Sequence, residues 1–446
     1  MSGADTAPQS DSPQNQRRLV LAQRYVAQHR MEAAEQVCRQ ILESGEANPY
    51  ALTFLSAQAQ KRNDLNEASA LLERLCKARP ADPQAWRELG RIQQKNGHRS
   101  QAVQSFGQAL VAAPEEGALF AELALALQAA GREEQAARAM TRAFALDPEL
   151  ANARRNRRAE LSLRELSQQG DDLLRSYHYR ANQALVKELE ETTGASLPAR
   201  WSRFLDGFQG RKPVDYEEPR QQPDFIYYPR ITARPFWPRE SFEWLSELED
   251  RTEAIRKEFL AVMADRSGFE PYVPEAPNAH EGWKKMAGKL NWASVHLIRG
   301  NRPVEENCRR CPTAYEALRG LPLVEVDGHA PEAFFSVLEP GTHIPPHYGV
   351  SNAKLAIHLP LIIPPDCAIT VGGETQTWEE GRCLVFDDSF LHEAWNRSDQ
   401  TRVVLIFETW NPDLSELERA ALRAIIERGD AWFHANRELT VEDLDL

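Results

Sequence analysis

A chain of 446 residues is too long for one ordinary core and points to two or three domains. Its 42% hydrophobic content is that of a globular protein. A formal charge of −13 excludes a general binder of nucleic acid or anionic membrane, because phosphate repels such a surface.

The opening stretch MSGADTAPQSDSPQNQ is polar and acidic and lacks the basic and apolar regions of a secretory signal. Residues 1–14 are therefore expected to be a disordered N-terminus. Apolar runs such as Leu359 to Ile363 are too short to span a bilayer, so a soluble cytoplasmic protein with no membrane span is expected. The six scattered cysteines read as reduced thiols. Cys308 and Cys311 form a CxxC without the second ligand pair of a structural zinc site.

Pro80, Pro114 and Pro148 recur every 34 residues, each closing an alanine-rich helical stretch. Leu21, Leu55, Leu89 and Leu123 keep that phase, as do Ala34, Ala68, Ala102 and Ala136. Small alanines in the second helix of a pair let two helices approach closely, and the leucines are expected to fill the seam. With WRELG from Trp86 and the recurring proline, residues 15–151 resemble a tetratricopeptide array of about four helix pairs. The resemblance implies an all-α solenoid whose concave face holds a peptide or protein. Residues 152–221 are charged and helical without a continuing period, as a helical cap and connector would be.

At DFIYYPRITARPFWP aromatics and prolines replace Ala and Glu, and a helix is expected from Arg239 to about Ala264. After Trp292 come short β-branched segments, FFSVL, KLAIHLPLII, AITVGG, CLVF and RVVLIF, separated by Gly, Pro and Asp. Such strands with turn signals predict an all-β sandwich or jelly roll over residues 222–413. Residues 414–446 read as an amphipathic helix and an acidic tail. The expected fold class is thus α+β multidomain, a helical solenoid followed by a jelly roll.

The chemistry concentrates in PGTHIPPHYGVSN, Pro340 to Asn352. His343 and His347 stand four residues apart, which on a helix would put two imidazoles on one face. Pro345 and Pro346 rule this out, since Pro in a helix interior costs about 3 kcal/mol and excludes the preceding residue from the α region. In an extended chain, rising roughly 3.3 Å per residue, the two lie about 13 Å apart, too far for one metal. A partner for His347 must come from elsewhere, and the best candidate is His392 in FDDSFLHEAWN, expected in a turn between two strands. The oxygenase facial triad would add a carboxylate two residues after the first histidine, where this chain has Gly349. His343 reads as a loop or supporting histidine, Asp387 and Asp388 as turn formers, and Arg397 as solvated.

The segments FFSVLEPGTHIPPHYGVSNAKLAIHLPL and GGETQTWEEGRCLVFDDSFLHEAWNRSDQTRVVLIFETWNP closely resemble the aspartyl/asparaginyl β-hydroxylase family, and the likeness spans roughly residues 222–413. The resemblance implies a double-stranded β-helix of the cupin-like kind and dependence on Fe(II), 2-oxoglutarate and O2. It also implies a two-histidine iron site without the carboxylate, so Gly349 is what it predicts. Carried over residue by residue, His347 and His392 hold the metal. Arg402 pairs with the distal carboxylate of 2-oxoglutarate, assisted by Ser336, while His358 and Trp292 line the cosubstrate pocket. An arginine suits that role because its planar fork can meet a carboxylate bidentately. The reaction implied is decarboxylation to succinate coupled to hydroxylation of an unactivated C–H, with the β-carbon of Asp or Asn in a peptide or protein favoured by the family name.

Ala356 stands where the family has a second cosubstrate arginine, and Lys354, on the same strand face, could supply that cation. Leu391 and Asn411 replace a common acidic residue and a usual histidine. These departures bear on substrate choice more than on iron. Two alternatives follow: a non-catalytic repeat scaffold with a degenerate jelly roll, motivated by Ala356, or a hydroxylase of a small amino acid or lipid-type substrate.

Overall fold

The computed structural model describes residues 12–45, 47–275 and 281–446. Residues 1–11 of the expected disordered N-terminus lie outside the described residues, and the expected boundary at residue 14 moves, because Pro13 already opens a helix. Contacts divide the chain into two units, one formed by residues up to His178 together with Ala431–Leu446, the other by Tyr179–Asp430.

The first unit contains helix pairs α1 (Pro13–Ala27) and α2 (Met31–Glu43), α3 (Pro49–Lys61) and α4 (Leu65–Ala78), α5 (Pro83–Lys95) and α6 (Arg99–Ala112), and α7 (Gly117–Ala129) and α8 (Glu133–Leu146). A short α9 (Pro148–Asn152) follows. Local chemistry explains the starts. Asn48, Asp64, Asp82 and Asp147 each accept a hydrogen bond from backbone N–H groups in the first turn of the helix they precede, satisfying donors that have no partner within the helix. Pro80 and Pro114 fall two residues beyond the ends of α4 and α6. Ala34, Ala68, Ala102 and Ala136 are fully buried in the second helices, and Leu55, Leu89 and Leu123 are buried in the first. Leu21 departs from the expected seam and is 38% exposed.

The end of the chain belongs to this unit's core. Leu439 and Leu444 are buried with α6, α7 and α8 residues, the Gln135 amide donates to the Leu444 carbonyl at 2.8 Å, and the Trp432 indole donates to Thr141 at 2.9 Å. Expected only as an acidic tail, it docks because Leu439 and Leu444 bury apolar surface while Glu438, Glu442, Asp443 and Asp445 stay exposed.

Helix α10 (Leu161–Thr193) carries residues of both units. The second unit continues through α11 (Ala199–Phe208), β1 (Phe236–Trp237), α12 (Leu245–Glu249), α13 (Thr252–Asp265), β2 (Glu270–Pro271), α14 (Glu281–Lys284), β3 (Trp292–Arg299), β4 (Arg302–Pro303), α15 (Glu305–Arg310) and α16 (Pro312–Arg319). Strands β5 (Ala333–Leu338), β6 (Thr342–His347), β7 (Lys354–Ile362), β8 (Cys367–Val371), β9 (Glu374–Gln376), β10 (Leu384–Phe386), β11 (His392–Asn396) and β12 (Arg402–Trp410) precede the final helix α17 (Glu416–Asn436). One sheet has the order β1-β10-β7-β12-β5-β3-β2, with β4 beside β3, and a smaller one runs β6-β11-β8-β9. All the named pairings are antiparallel. No helix among the described residues is long and apolar enough to cross a membrane.

Strand alternation separates core from cavity. Val403, Leu405 and Phe407 of β12, with Leu355, Ile357 and Leu359 of β7, pack against α13 and α16 residues such as Phe259 and Leu318. The alternate residues, Arg402, Ile406 and Glu408 on β12 and Lys354, Ala356 and His358 on β7, line a cavity on the other face. β6 tolerates Pro345 and Pro346 because it is the edge strand of its sheet, and the pairing with β11 shifts register between His392 and Ala394.

One buried ion pair ties α17 to the β unit. Arg200 Nε donates to Glu418 Oε1 at 2.7 Å, Arg200 Nη2 to Oε2 at 2.9 Å, and the Tyr228 hydroxyl to Oε1 at 2.5 Å. Burial alone would push the Glu418 carboxyl up, but these donors and those of Ser415 outweigh it and hold the carboxyl at about 2. A folded-state pKa below the unfolded one means that this stabilisation is complete above the ordinary carboxylate range and is lost as pH falls toward 2. Glu418→Gln is expected to lower stability at pH 7 by about 3 kcal/mol, by leaving Arg200 without its counter-charge. Urea unfolding from pH 7 to 3 checks this: the difference from wild type should shrink as the pH falls.

Candidate active site

His347 ends β6 and His392 begins β11, and the two are direct partners in the antiparallel register, with ring centroids 4.0 Å apart. Sequence placed His392 in a turn. It opens a strand instead, and strand pairing is what brings the rings together. Each imidazole uses Nδ1 on a carbonyl two residues back, His347 on Pro345 O at 2.9 Å and His392 on Phe390 O at 3.0 Å. A carbonyl only accepts, so Nδ1 carries the proton and Nε2 keeps a free lone pair. This is the tautomer a metal ligand needs, oriented by its outer hydrogen bond. Burial first, then the neighbouring His392, pushes the His347 imidazole down to about 4, and burial also lowers His392. Both rings are therefore neutral at physiological pH.

Gly349 and Asp388 explain why no carboxylate follows His347 at the facial-triad position. A Cβ on Gly349 would lie 2.2 Å from the Asp388 side-chain carbon, and the Gly349 N–H donates to the Asp388 carbonyl at 2.6 Å. Asp388 fills the space in which a side chain at position 349 would begin. Among the described residues no group of three or more His, Cys, Asp or Glu side chains is placed to hold a metal. The chain thus presents a pair of imidazoles, and that donor set fits an iron that takes its remaining ligands from water and small molecules.

Arg402 is 1% exposed and faces the same cavity, whose volume is about 790 Å3. Among the described residues no carboxylate pairs with it. Its Nη1 reaches Ser336 Oγ at 3.5 Å, its Nε has no hydrogen-bond partner, and its guanidinium carbon lies 5.0 Å from the Trp378 ring centre. Burial pushes its pKa down to about 10. The surrounding donors are held in place: Trp292 Nε1 donates to Ser336 Oγ at 3.0 Å, and Trp378 Nε1 donates to His358 Nδ1 at 3.2 Å. Burial, then the positive charge of Arg402, lowers the His358 pKa far below its ordinary value. The structure therefore gathers His347, His392, Arg402, Ser336, His358 and Trp292 around one cavity.

Lys354 shares that cavity face, as strand alternation requires, but it is not a free cation. Its ammonium pairs with Glu408, a residue in contact with it across the β7–β12 register shared by Ala356 and Glu408. Sequence did not single out Glu408 or Trp378. Glu408 lies six residues beyond Arg402 on β12, so strand alternation could have placed it on the cavity face, whereas no local pattern marks Trp378. His343 does not join the site: it is exposed and bonds Glu393 at 2.7 Å. Asp387 is a buried turn former that accepts from the Ser389 N–H at 3.0 Å and from Gln221 at 2.6 Å. Asn411 bridges backbone groups of Asn352 and Asp413. Arg397 is exposed over the Trp395 ring, and all six cysteines are free and buried.

An antiparallel β unit enclosing two neutral imidazoles and a buried guanidinium, joined to a unit of helix pairs, defines a protein with a candidate metal centre and a candidate anion-binding group in the same cavity. The chain belongs to the aspartyl/asparaginyl β-hydroxylase family. Residues 249–412 match the family described as Aspartyl/Asparaginyl beta-hydroxylase. Rat "Aspartate beta-hydroxylase domain-containing protein 2" is 32% identical over 262 residues, 57% of this chain and 74% of the relative. Human "Aspartate beta-hydroxylase domain-containing protein 1" is 40% identical over 206 residues, covering 45% of this chain and 51% of the relative. Human "Aspartyl/asparaginyl beta-hydroxylase" is 36% identical over 200 residues, 44% of this chain but 25% of the relative. The solved structure "MamA 41-end from Desulfovibrio magneticus RS-1" overlaps 37% of this chain and 98% of its own at 20% identity, with a TM-score of 0.29, too low to bear on fold or function.

Proposed function

We propose that the protein is an Fe(II)- and 2-oxoglutarate-dependent dioxygenase that hydroxylates an unactivated C–H, with the β-carbon of an Asp- or Asn-type side chain in a peptide or protein as the leading target. The observation that carries this reading is Arg402, a buried charge with no carboxylate partner among the described residues, facing the cavity that also receives the two imidazoles. A buried guanidinium left unpaired costs several kcal/mol, which an anionic ligand bound there would offset. In this reading the two sheets form a double-stranded β-helix, and the helix pairs hold the polypeptide to be modified.

Iron with 2-oxoglutarate and O2, when bound, supplies the oxidising chemistry that protein side chains lack. The chain's own part is placement. His347 and His392 offer Nε2 lone pairs whose direction is set by the Pro345 and Phe390 carbonyls. Arg402 grips the distal carboxylate of the cosubstrate with Ser336 at its side, while Trp292 and His358 close that end against water. Lys354, matched by Glu408, would offer the other cosubstrate carboxylate no free positive charge. We place the reaction in the cytoplasm, on the support of six buried free thiols.

The test is succinate formation from 2-oxoglutarate by the purified protein with Fe(II), ascorbate and candidate peptides. Iron-dependent succinate is expected. The absence of both turnover and iron binding would sink the proposal and favour a non-catalytic repeat scaffold, the reading that Ala356 motivates.

A further inference from the structure

The end of the cavity away from Arg402 is acidic. Arg402 and Glu408 lie on one face of β12, six residues apart, which at roughly 3.3 Å per residue separates them by about 20 Å. Around Glu408 the cavity is bounded by Lys354, Asp388 and apolar walls that include Trp410, Val326 and Ile426. Lys354 spends its charge on Glu408 Oε1. Glu408 Oε2 and Asp388 Oδ1 are shielded from solvent and, among the described residues, have no hydrogen-bond partner. Among the described residues lining the cavity, Lys354 and Arg402 are the only lysine or arginine side chains. The third lining carboxylate, Glu332, is already engaged by the Gly300 N–H at 2.7 Å and by His296 at 3.2 Å.

Buried acceptors without donors are rare because they forgo hydration and gain nothing in return. A carboxylate arriving here would meet a net negative charge, two carboxyl groups against the one ammonium of Lys354. N–H donors on a substrate would satisfy these open oxygens.

We infer that the substrate brings an N–H donor, an amide or an ammonium group, to Glu408 and Asp388, and that this end of the cavity selects against a substrate carboxylate. The inference rests on the oxygenase reading only in taking this cavity as the substrate site. It narrows the Asp or Asn alternative toward the amide and adds cationic side chains as candidates.

The test is calorimetric titration of the full chain, loaded with Fe(II) and 2-oxoglutarate under nitrogen, with three isosteric probes: the N-acetyl amides of asparagine, aspartate and 2,4-diaminobutyrate. The asparagine or the diaminobutyrate probe is expected to bind about tenfold or more tighter than the aspartate probe, and the stronger of the two identifies the donor class. Glu408→Gln removes the counter-charge of Lys354 and is expected to reverse the order, with the aspartate probe gaining about tenfold relative to the others. Asp388→Asn, read in parallel as a second variant, should narrow the preference without reversing it. An aspartate probe that binds tightest to the wild type, an unchanged order in both variants, or no binding by any probe would overturn the inference. Succinate formation in air is a separate readout, so its absence counts against the oxygenase reading while the order of the probes still decides the polarity of the site.

Discussion

His347→Ala and His392→Ala are each expected to lower iron-dependent succinate formation by more than about 100-fold, since loss of even a supporting partner of a metal ligand commonly costs 10- to 100-fold. His343→Ala should retain most of the activity. The contrast is sharp because the three histidines share two paired strands. His343 lies on β6 opposite Trp395 of β11, exposed and bonded to Glu393, while His347 and His392 face each other across the same ladder. Iron binding by equilibrium dialysis provides the second measurement. Each ligand variant should lose most bound iron, and the His343 variant should keep it. An equal loss in all three would show that the imidazole pair is not the metal site.

Arg402→Met should separate ligand binding from stability. An arginine 1% exposed, without a carboxylate partner and with its pKa pushed down to about 10, is held charged against the preference of its surroundings. For a base with a depressed folded-state pKa, the charged form destabilises the fold at every pH below about 10, so the penalty is fully present at neutrality. A methionine of comparable length removes the charge and keeps the packing. The variant is expected to be more stable than the wild type by about 2 kcal/mol in the absence of ligand. Its 2-oxoglutarate affinity should fall about 100-fold or more, because removing one partner of a buried charge pair costs 2 to 5 kcal/mol. Thermal unfolding with and without 2-oxoglutarate reads both effects: the cosubstrate should raise the midpoint of the wild type and leave that of the variant unmoved. A variant less stable than the wild type, yet still stabilised by 2-oxoglutarate, would assign Arg402 a packing role instead.

Much of the molecule was legible because its signals are local. The 34-residue period revealed the helix pairs, since small alanines and seam leucines must recur wherever two helices meet in the same way. Leu21 obeyed the period and still came out exposed, because burial depends on a neighbour that a period does not guarantee. FFSVL, KLAIHLPLII, AITVGG, CLVF and RVVLIF became β5, β7, β8, β10 and β12. β6 escaped this kind of reading because its two prolines argue against an interior strand and are allowed only at an edge, a property of the sheet and not of the segment.

At the candidate site the division is similar. Sequence by itself determined which residues could carry chemistry. The prolines between His343 and His347 excluded a helical pair and strand alternation put Lys354 and Ala356 on one face, while the resemblance to the family marked His392 and Arg402 as partners. The first two follow from backbone sterics and from a period of two, which each segment carries within itself. Only the tertiary structure decided what those side chains meet. It set the two imidazoles opposite each other with Nε2 free, filled the space beyond Gly349 with Asp388, left Arg402 without a carboxylate and gave Lys354 one in Glu408. Charge pairing and burial arise between strands far apart in the chain, so no single segment contains them.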